Sequence, residues 1–198
     1  MKVAFTVFGA MVFLFIYWKR LKEDYSSSIV FASGLYVILG IGIAEAISSK
    51  FLPIWWFWLD MFGVAVGLGI SIFRYKLRFF ETLETLIVSL IPWISFIFLV
   101  NSIQTLSLVS LIGFIVMLLL LVGFYYFDAR YKRFVWYRSG RIGFSGLTTL
   151  GIFFLIRSLV AVFLSDVLSF VGTLDVLFSA VLAFFAFLAV FSLARTTT

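Results

Sequence analysis

Neither cysteine nor histidine occurs anywhere in this chain, and proline occurs only twice. The first absence rules out disulfides, thiol nucleophiles and thiolate metal sites. The second rules out an imidazole base and histidine-ligated metal. No spacing of the remaining carboxylates matches a metal-ligand pattern, so neither a metal nor a cofactor is expected. Charge is scarce as well. Only 12% of the 198 residues are charged, where a soluble domain carries about a quarter. Hydrophobic residues make up 64%, and the mean hydropathy is +1.22.

What fills the chain is long apolar runs. They recur at the length needed to cross a hydrocarbon core of roughly 30 Å, and the stretches between them are too short for a soluble domain. Backbone groups in lipid must pair within the protein, and these Leu/Phe/Ile/Val runs lack the two-residue alternation of a membrane barrel. The expected fold is therefore all-α: a polytopic membrane helix bundle forming one transmembrane domain over 1–198. Seven spans are predicted, near 3–18, 27–47, 56–73, 83–100, 106–127, 144–164 and 175–194. The third and fourth are the least regular, and Pro92 interrupts the fourth. Met1 to Trp18 has some signal-peptide character. It lacks a small-residue cleavage site and runs into Lys19-Arg20-Leu21-Lys22, so it reads as a retained first span.

The pI near 9.7 does not point to nucleic acid, because the basic residues lie in short loops between spans. Twelve of the 15 Lys and Arg residues follow spans one, three, five and seven. Lys2 and Lys50 lie on the other side, and Arg157 lies inside span six. The positive-inside rule makes the rich side cytoplasmic, with the N-terminus out and the C-terminus in. Trp55, Trp56 and Trp58 then fall at the outer interface as an aromatic belt. Ser26, Ser27 and Ser28 are candidate caps for span two.

Arg157 is the sharpest single residue. A central arginine costs about 2.5–3.5 kcal/mol on insertion scales, so it should face protein, water or an anion. Its planar fork of donors suits a phosphate or carboxylate. Two readings stay open: an anion contact, or a structural ion pair with an acid such as Asp60 or Glu45. Asp166 and Asp175 bracket the last outer loop, and with Glu45 and Asp60 they form either a polar mouth or ordinary loop charges. Asn101 and Gln104 close span four, where amides commonly satisfy helix-end carbonyls. Gly63, Gly67 and Gly69 put small residues at helical spacing on span three, a pattern for close helix packing. The basic and aromatic stretch Arg130 to Arg141 reads as an interfacial segment facing anionic headgroups.

Several segments together resemble the prolipoprotein diacylglyceryl transferases of the bacterial inner membrane. They are Trp56-Phe57-Trp58-Leu59-Asp60-Met61-Phe62-Gly63-Val64-Ala65-Val66-Gly67, Arg74 to Leu83 with Pro92 beyond it, Leu147 to Arg157, and Val171-Gly172-Thr173-Leu174. The resemblance implies a phosphatidylglycerol substrate, a lipoprotein signal peptide as acceptor, and Arg157 at the headgroup. It implies Glu45 or Asp60 as base, and a lipid site near Asn101, Gln104 and Gly63. The chain departs from that family in three places. Ile97 to Gln104 has no Arg-Ile-Gly-Asn signature, Met61-Phe62 stands where the family has histidine and glycine, and Ala161 stands where it has an acid. The outer loops are also too short for the family's head insertion. A non-catalytic lipid-binding protein or membrane-complex subunit is the alternative. A small transporter is the third class, and it would need polar residues along the full depth of the bundle.

Overall fold

The computed structural model describes residues 2–133, 143–163, 170 and 172–195. Among these the chain forms α1 (Lys2–Leu21), α2 (Ser27–Phe51), α3 (Trp56–Tyr75), α4 (Phe79–Thr105), α5 (Leu108–Arg130), α6 (Phe144–Phe163) and α7 (Thr173–Arg195), and no strand. Short 3-10 turns at Pro53–Trp55 and Tyr131–Arg133 lead into α3 and follow α5. Six helices, α2 to α7, are long and apolar enough to cross a membrane. At 1.5 Å per residue, α1 also reaches about 30 Å. The protein is a multi-pass membrane helix bundle, with its helices where the apolar runs lie. The face holding the start of α1 is termed outer below, following the charge rule.

α4 is the central element. Half of its most apolar stretch is buried, against 22% in α5 and α7. It packs on α1 and α5 and reaches α6, while α2–α3 and α6–α7 form two tight hairpins at the flanks. The helix spans Phe79–Thr105, longer than the expected 83–100, and continues through Pro92. Loss of one backbone donor is tolerated because Pro92 is buried among other helices, and Ser95 Oγ donates to the Pro92 carbonyl at 2.7 Å. Where α1, α2, α3 and α4 meet, Phe13, Tyr17, Val37, Val64, Leu86 and Trp93 form the largest apolar cluster.

The α2–α3 hairpin is closed at Gly63 and Gly67, two of the three glycines that the sequence places at helical spacing, whereas a Cβ on the third, Gly69, would meet nothing within 4 Å. A Cβ built on Gly40 would overlap the Gly63 carbonyl, and one on Gly67 would meet the Tyr36 carbonyl oxygen at 2.6 Å. Only hydrogen fits at these positions, so the backbones themselves touch. One turn further, Ser71 Oγ donates across the seam to the Ser33 carbonyl at 3.1 Å. In lipid, where apolar surface gains little from association, such close approach and interhelical bonding are what hold two helices together.

Ser26 is the N-cap residue of α2 but makes no side-chain cap. Ser27 Oγ instead accepts from Trp18 Nε1 at 3.2 Å, tying the end of α1 to the start of α2. The functioning serine cap is Ser107, whose side chain accepts from the Ser110 backbone N–H at 3.4 Å and starts α5.

Two outcomes are expected. Gly63→Leu should lower stability in detergent by about 1–3 kcal/mol through overpacking. Gly42→Leu on the same hairpin, where an added Cβ meets nothing within 4 Å, should leave the unfolding temperature unchanged. Because the chain lacks native cysteine, single substitutions report sidedness cleanly. An impermeant maleimide should label Ser49→Cys in intact cells and Lys22→Cys only after permeabilisation; the reverse pattern would overturn the N-out orientation.

Candidate functional site

The outer half of the bundle holds a buried charged centre. Arg157 lies six residues before the end of α6, which puts it about 9 Å below that end. Asp175 lies in the first turn of α7, where the free N–H groups and the helix dipole favour a carboxylate. The hairpin geometry brings the two together: Arg157 Nη2 donates to Asp175 Oδ1 at 2.6 Å, with both side chains sealed from the surroundings. Trp58 of α3 donates its indole N–H to the same oxygen at 2.8 Å. Three rings enclose the guanidinium. Its carbon lies 3.8 Å from the centroid of Phe57, 4.8 Å from Phe170 and 5.3 Å from Trp58. Trp58 is itself held by stacking on Phe154, with the rings 6.2 Å apart and 13° from parallel. It is thus an inward structural residue, whereas the sequence suggested an interfacial belt.

Among the described residues, Asp175 supplies the opposite charge to Arg157. Charge-assisted bonds inside a low-dielectric interior are strong, and breaking one by removing a single partner leaves a charge that hydrocarbon cannot solvate. The ion pair also fixes geometry, because it ties α3, α6 and α7 at one depth.

Beside it lies an apolar cavity of about 150 Å³ bounded by α3, α4, α5 and α6. Trp56, Ile94, Phe98, Ile112 and Ile156 contribute to its walls, and Arg157 is the one charged residue among those that line it.

The other residues singled out from the sequence fall elsewhere. Glu45 is exposed on α2. Asp60 is half-buried on α3, within electrostatic reach of Glu45, and its buried Oδ1 accepts no hydrogen bond from the described residues. Neither carboxylate lines the cavity or bonds to Arg157 among the described residues. Asn101 donates to Ser110 Oγ at 2.6 Å, knitting the α4–α5 turn, while Gln104 is exposed beside it. Gly63 is occupied by the α2–α3 seam. Asp166 and the basic stretch beyond Arg133 lie outside the described residues. At the inner margin, Arg130 folds over Tyr126 with 4.4 Å to the ring centroid, and Arg195 over Phe191 with 4.3 Å.

A second charged cluster, at the inner end, went unread in the sequence. Arg20 of α1 bridges Glu84 of α4 at 3.2 Å and Asp128 of α5 at 3.1 Å. Ser145 Oγ donates to Glu84 at 2.6 Å, and the Gly143 N–H donates to the other Glu84 oxygen at 2.6 Å. Gly143 takes a φ of +86°, a left-handed conformation that glycine adopts freely. Gly146 lets α6 press on the Glu84 backbone, since a Cβ there would lie 2.8 Å from the Glu84 Cα. The available signal was Glu84 itself, an acid inside the predicted fourth span.

Both clusters yield measurable expectations. Arg157→Ala and Asp175→Ala should each destabilise the protein by about 3–5 kcal/mol. The double variant Arg157→Met/Asp175→Leu should recover much of that loss, giving a clear coupling energy in a thermal-unfolding cycle; simple additivity would contradict a mutual pair. At the inner end, Arg20→Ala should lower the unfolding temperature more than Lys22→Ala, which removes a cation folded over Trp18.

Comparison with protein-family models, with curated proteins and with solved structures found no match to this chain.

Proposed function

We propose that this protein engages phosphatidylglycerol in the outer half of its bundle. By resemblance, its reaction is transfer of the diacylglyceryl group to the cysteine thiol of a lipoprotein signal peptide at the bacterial inner membrane. The observation that carries the reading is Arg157 at the margin of an apolar cavity, a cation beside a space shaped for hydrocarbon. That combination matches an anionic amphiphile better than a polar solute.

The chemistry assigns simple roles. The acceptor thiol loses its proton to a carboxylate, for which Asp60 and Glu45 are the candidates. The thiolate sulfur bonds to the terminal glyceryl carbon of the diacylglyceryl group, the bond from that carbon to the phosphate oxygen breaks, and glycerol phosphate leaves with the electron pair. Arg157 would stabilise the leaving phosphate, exchanging part of its contact with Asp175 for the substrate. No cofactor takes part in this scheme.

A second reading is favoured by a specific observation. Arg157 already has a carboxylate at 2.6 Å, as a residue with a purely architectural role would. On that reading the protein binds lipid, or joins a membrane complex, without turnover.

One experiment separates the two. The purified protein in phosphatidylglycerol vesicles is incubated with a lipobox peptide, and the peptide is weighed by mass spectrometry. The transferase reading expects the mass of one diacylglyceryl group to be added, and expects the gain to fall at least tenfold in Arg157→Gln. No gain, with a known transferase active alongside, would sink it. Native mass spectrometry of the same preparations then tests lipid binding alone, through phosphatidylglycerol retained by the wild type.

A further inference from the structure

We propose that the cavity bounded by α3, α4, α5 and α6 is a pocket for one acyl chain of a bilayer phospholipid, and that the contact between Gly113 and Phe98 sets its depth. The inference rests on the phospholipid reading for its ligand, but it concerns the hydrocarbon end and not the headgroup.

Position is the first support. The cavity residues of α5 run from Val109 to Met117 and those of α6 from Phe153 to Val160. Counted from the outer helix ends, the α5 stretch covers about 2–14 Å of depth and the α6 stretch about 5–15 Å, reaching the acyl region of the outer leaflet. Exposure gives direction. Ile112 is 60% exposed, whereas Met117, deeper on the same helix, is 2% exposed. The space therefore opens on the lipid-facing surface and leads inward. At that depth the surrounding medium is acyl chain, and apolar cavities of about 150 Å³ exclude water yet accept apolar guests. The one charged residue on the lining, Arg157, is already paired with Asp175, so what the pocket itself offers is an apolar surface for hydrocarbon.

Gly113 gives the pocket its shape. A Cβ at this position would lie 2.8 Å from Phe98 Cδ1 and 3.0 Å from Cε1, so the Phe98 ring rests directly on the α5 backbone. Any larger side chain at 113 must either fill the cavity or push the ring into it. On the same helix, a Cβ on Gly123 would meet only the far edge of Phe127 at 4.0 Å, so Gly123 supplies the matched control.

The test uses the full chain reconstituted in vesicles containing phosphatidylglycerol with a diazirine near the end of one acyl chain. After irradiation, adducts are mapped by mass spectrometry. Leu119 is 64% exposed, so passive contact with bulk lipid would label Leu119 far more than Met117. The pocket expects the opposite order in the wild type, a Met117 yield at least fivefold lower in Gly113→Leu, and an unchanged yield in Gly123→Leu. Labelling that follows exposure in the wild type would overturn the proposal whether or not the variants fold. A parallel arm with diazirine phosphatidylcholine separates the two ideas. Equal Met117 labelling by both lipids upholds the pocket and removes the anionic-headgroup reading. Absence of Met117 labelling by both removes the pocket, while retention of phosphatidylglycerol in native mass spectrometry would still uphold lipid binding.

Discussion

A guanidinium that meets, among the described residues, three aromatic rings and the Asp175 carboxylate sets the terms for the outer half of this bundle. Hydrocarbon offers Arg157 no solvation, so the fold must supply it, and the supply comes from two other helices and the segment before the second of them. Asp175 provides the opposite charge at the dipole-favoured start of α7, Phe57 and Trp58 come from α3, and Phe170 precedes α7. Once those groups are in place, the relative depth of α3, α6 and α7 is no longer adjustable. The inner end obeys the same constraint with different residues, where Arg20 joins α1 to α4 and α5. Between the two charged ends, contact is made mainly by rings, aliphatic side chains and close backbones, with hydrogen bonds such as Ser71 to the Ser33 carbonyl adding direction.

Much of this architecture was legible in the sequence, because the bilayer imposes a length and an apolar composition that few soluble helices satisfy. The seven helices follow the apolar runs, the packing role of Gly63 and Gly67 follows from their spacing, and Arg157 stood out by its depth. What escaped was partnership. Asp175 sits at the first residue of the predicted last span, where it is open to reading as a polar mouth or a loop charge, and Asp128, one residue past the predicted end of the fifth, drew no reading. A helix that extends by one turn converts a loop charge into an interior one, and α4, α5 and α7 all extend beyond the spans read from hydropathy. Span boundaries are set by capping and tertiary contact, which hydropathy does not encode. Asp60 and Glu45, the acids suggested as partners for Arg157, lie on the α2–α3 hairpin instead.

The cavity and the ion pair stand in a productive tension. A well-satisfied Arg157–Asp175 pair stabilises the bundle, yet a transferase needs a cation free to meet a phosphate. Both are served if the substrate headgroup takes over part of what Asp175 provides, an exchange between two anions of similar geometry. The void beside the pair is harder to explain as architecture alone, since tighter packing of Ile94, Ile112 and Ile156 would be the stabilising arrangement.

The α2–α3 seam has a consequence for how the protein is made. Its decisive contacts are between backbones, at Gly40 with Gly63 and at Gly67 with Tyr36, and they require nothing from the helices that follow. The hairpin can therefore settle in the bilayer as soon as its second arm leaves the ribosome. That early unit carries Asp60 of α3 with it before α6 and α7 exist. Biogenesis would proceed from a preassembled hairpin outward, with the charged clasp at Arg157 closing last.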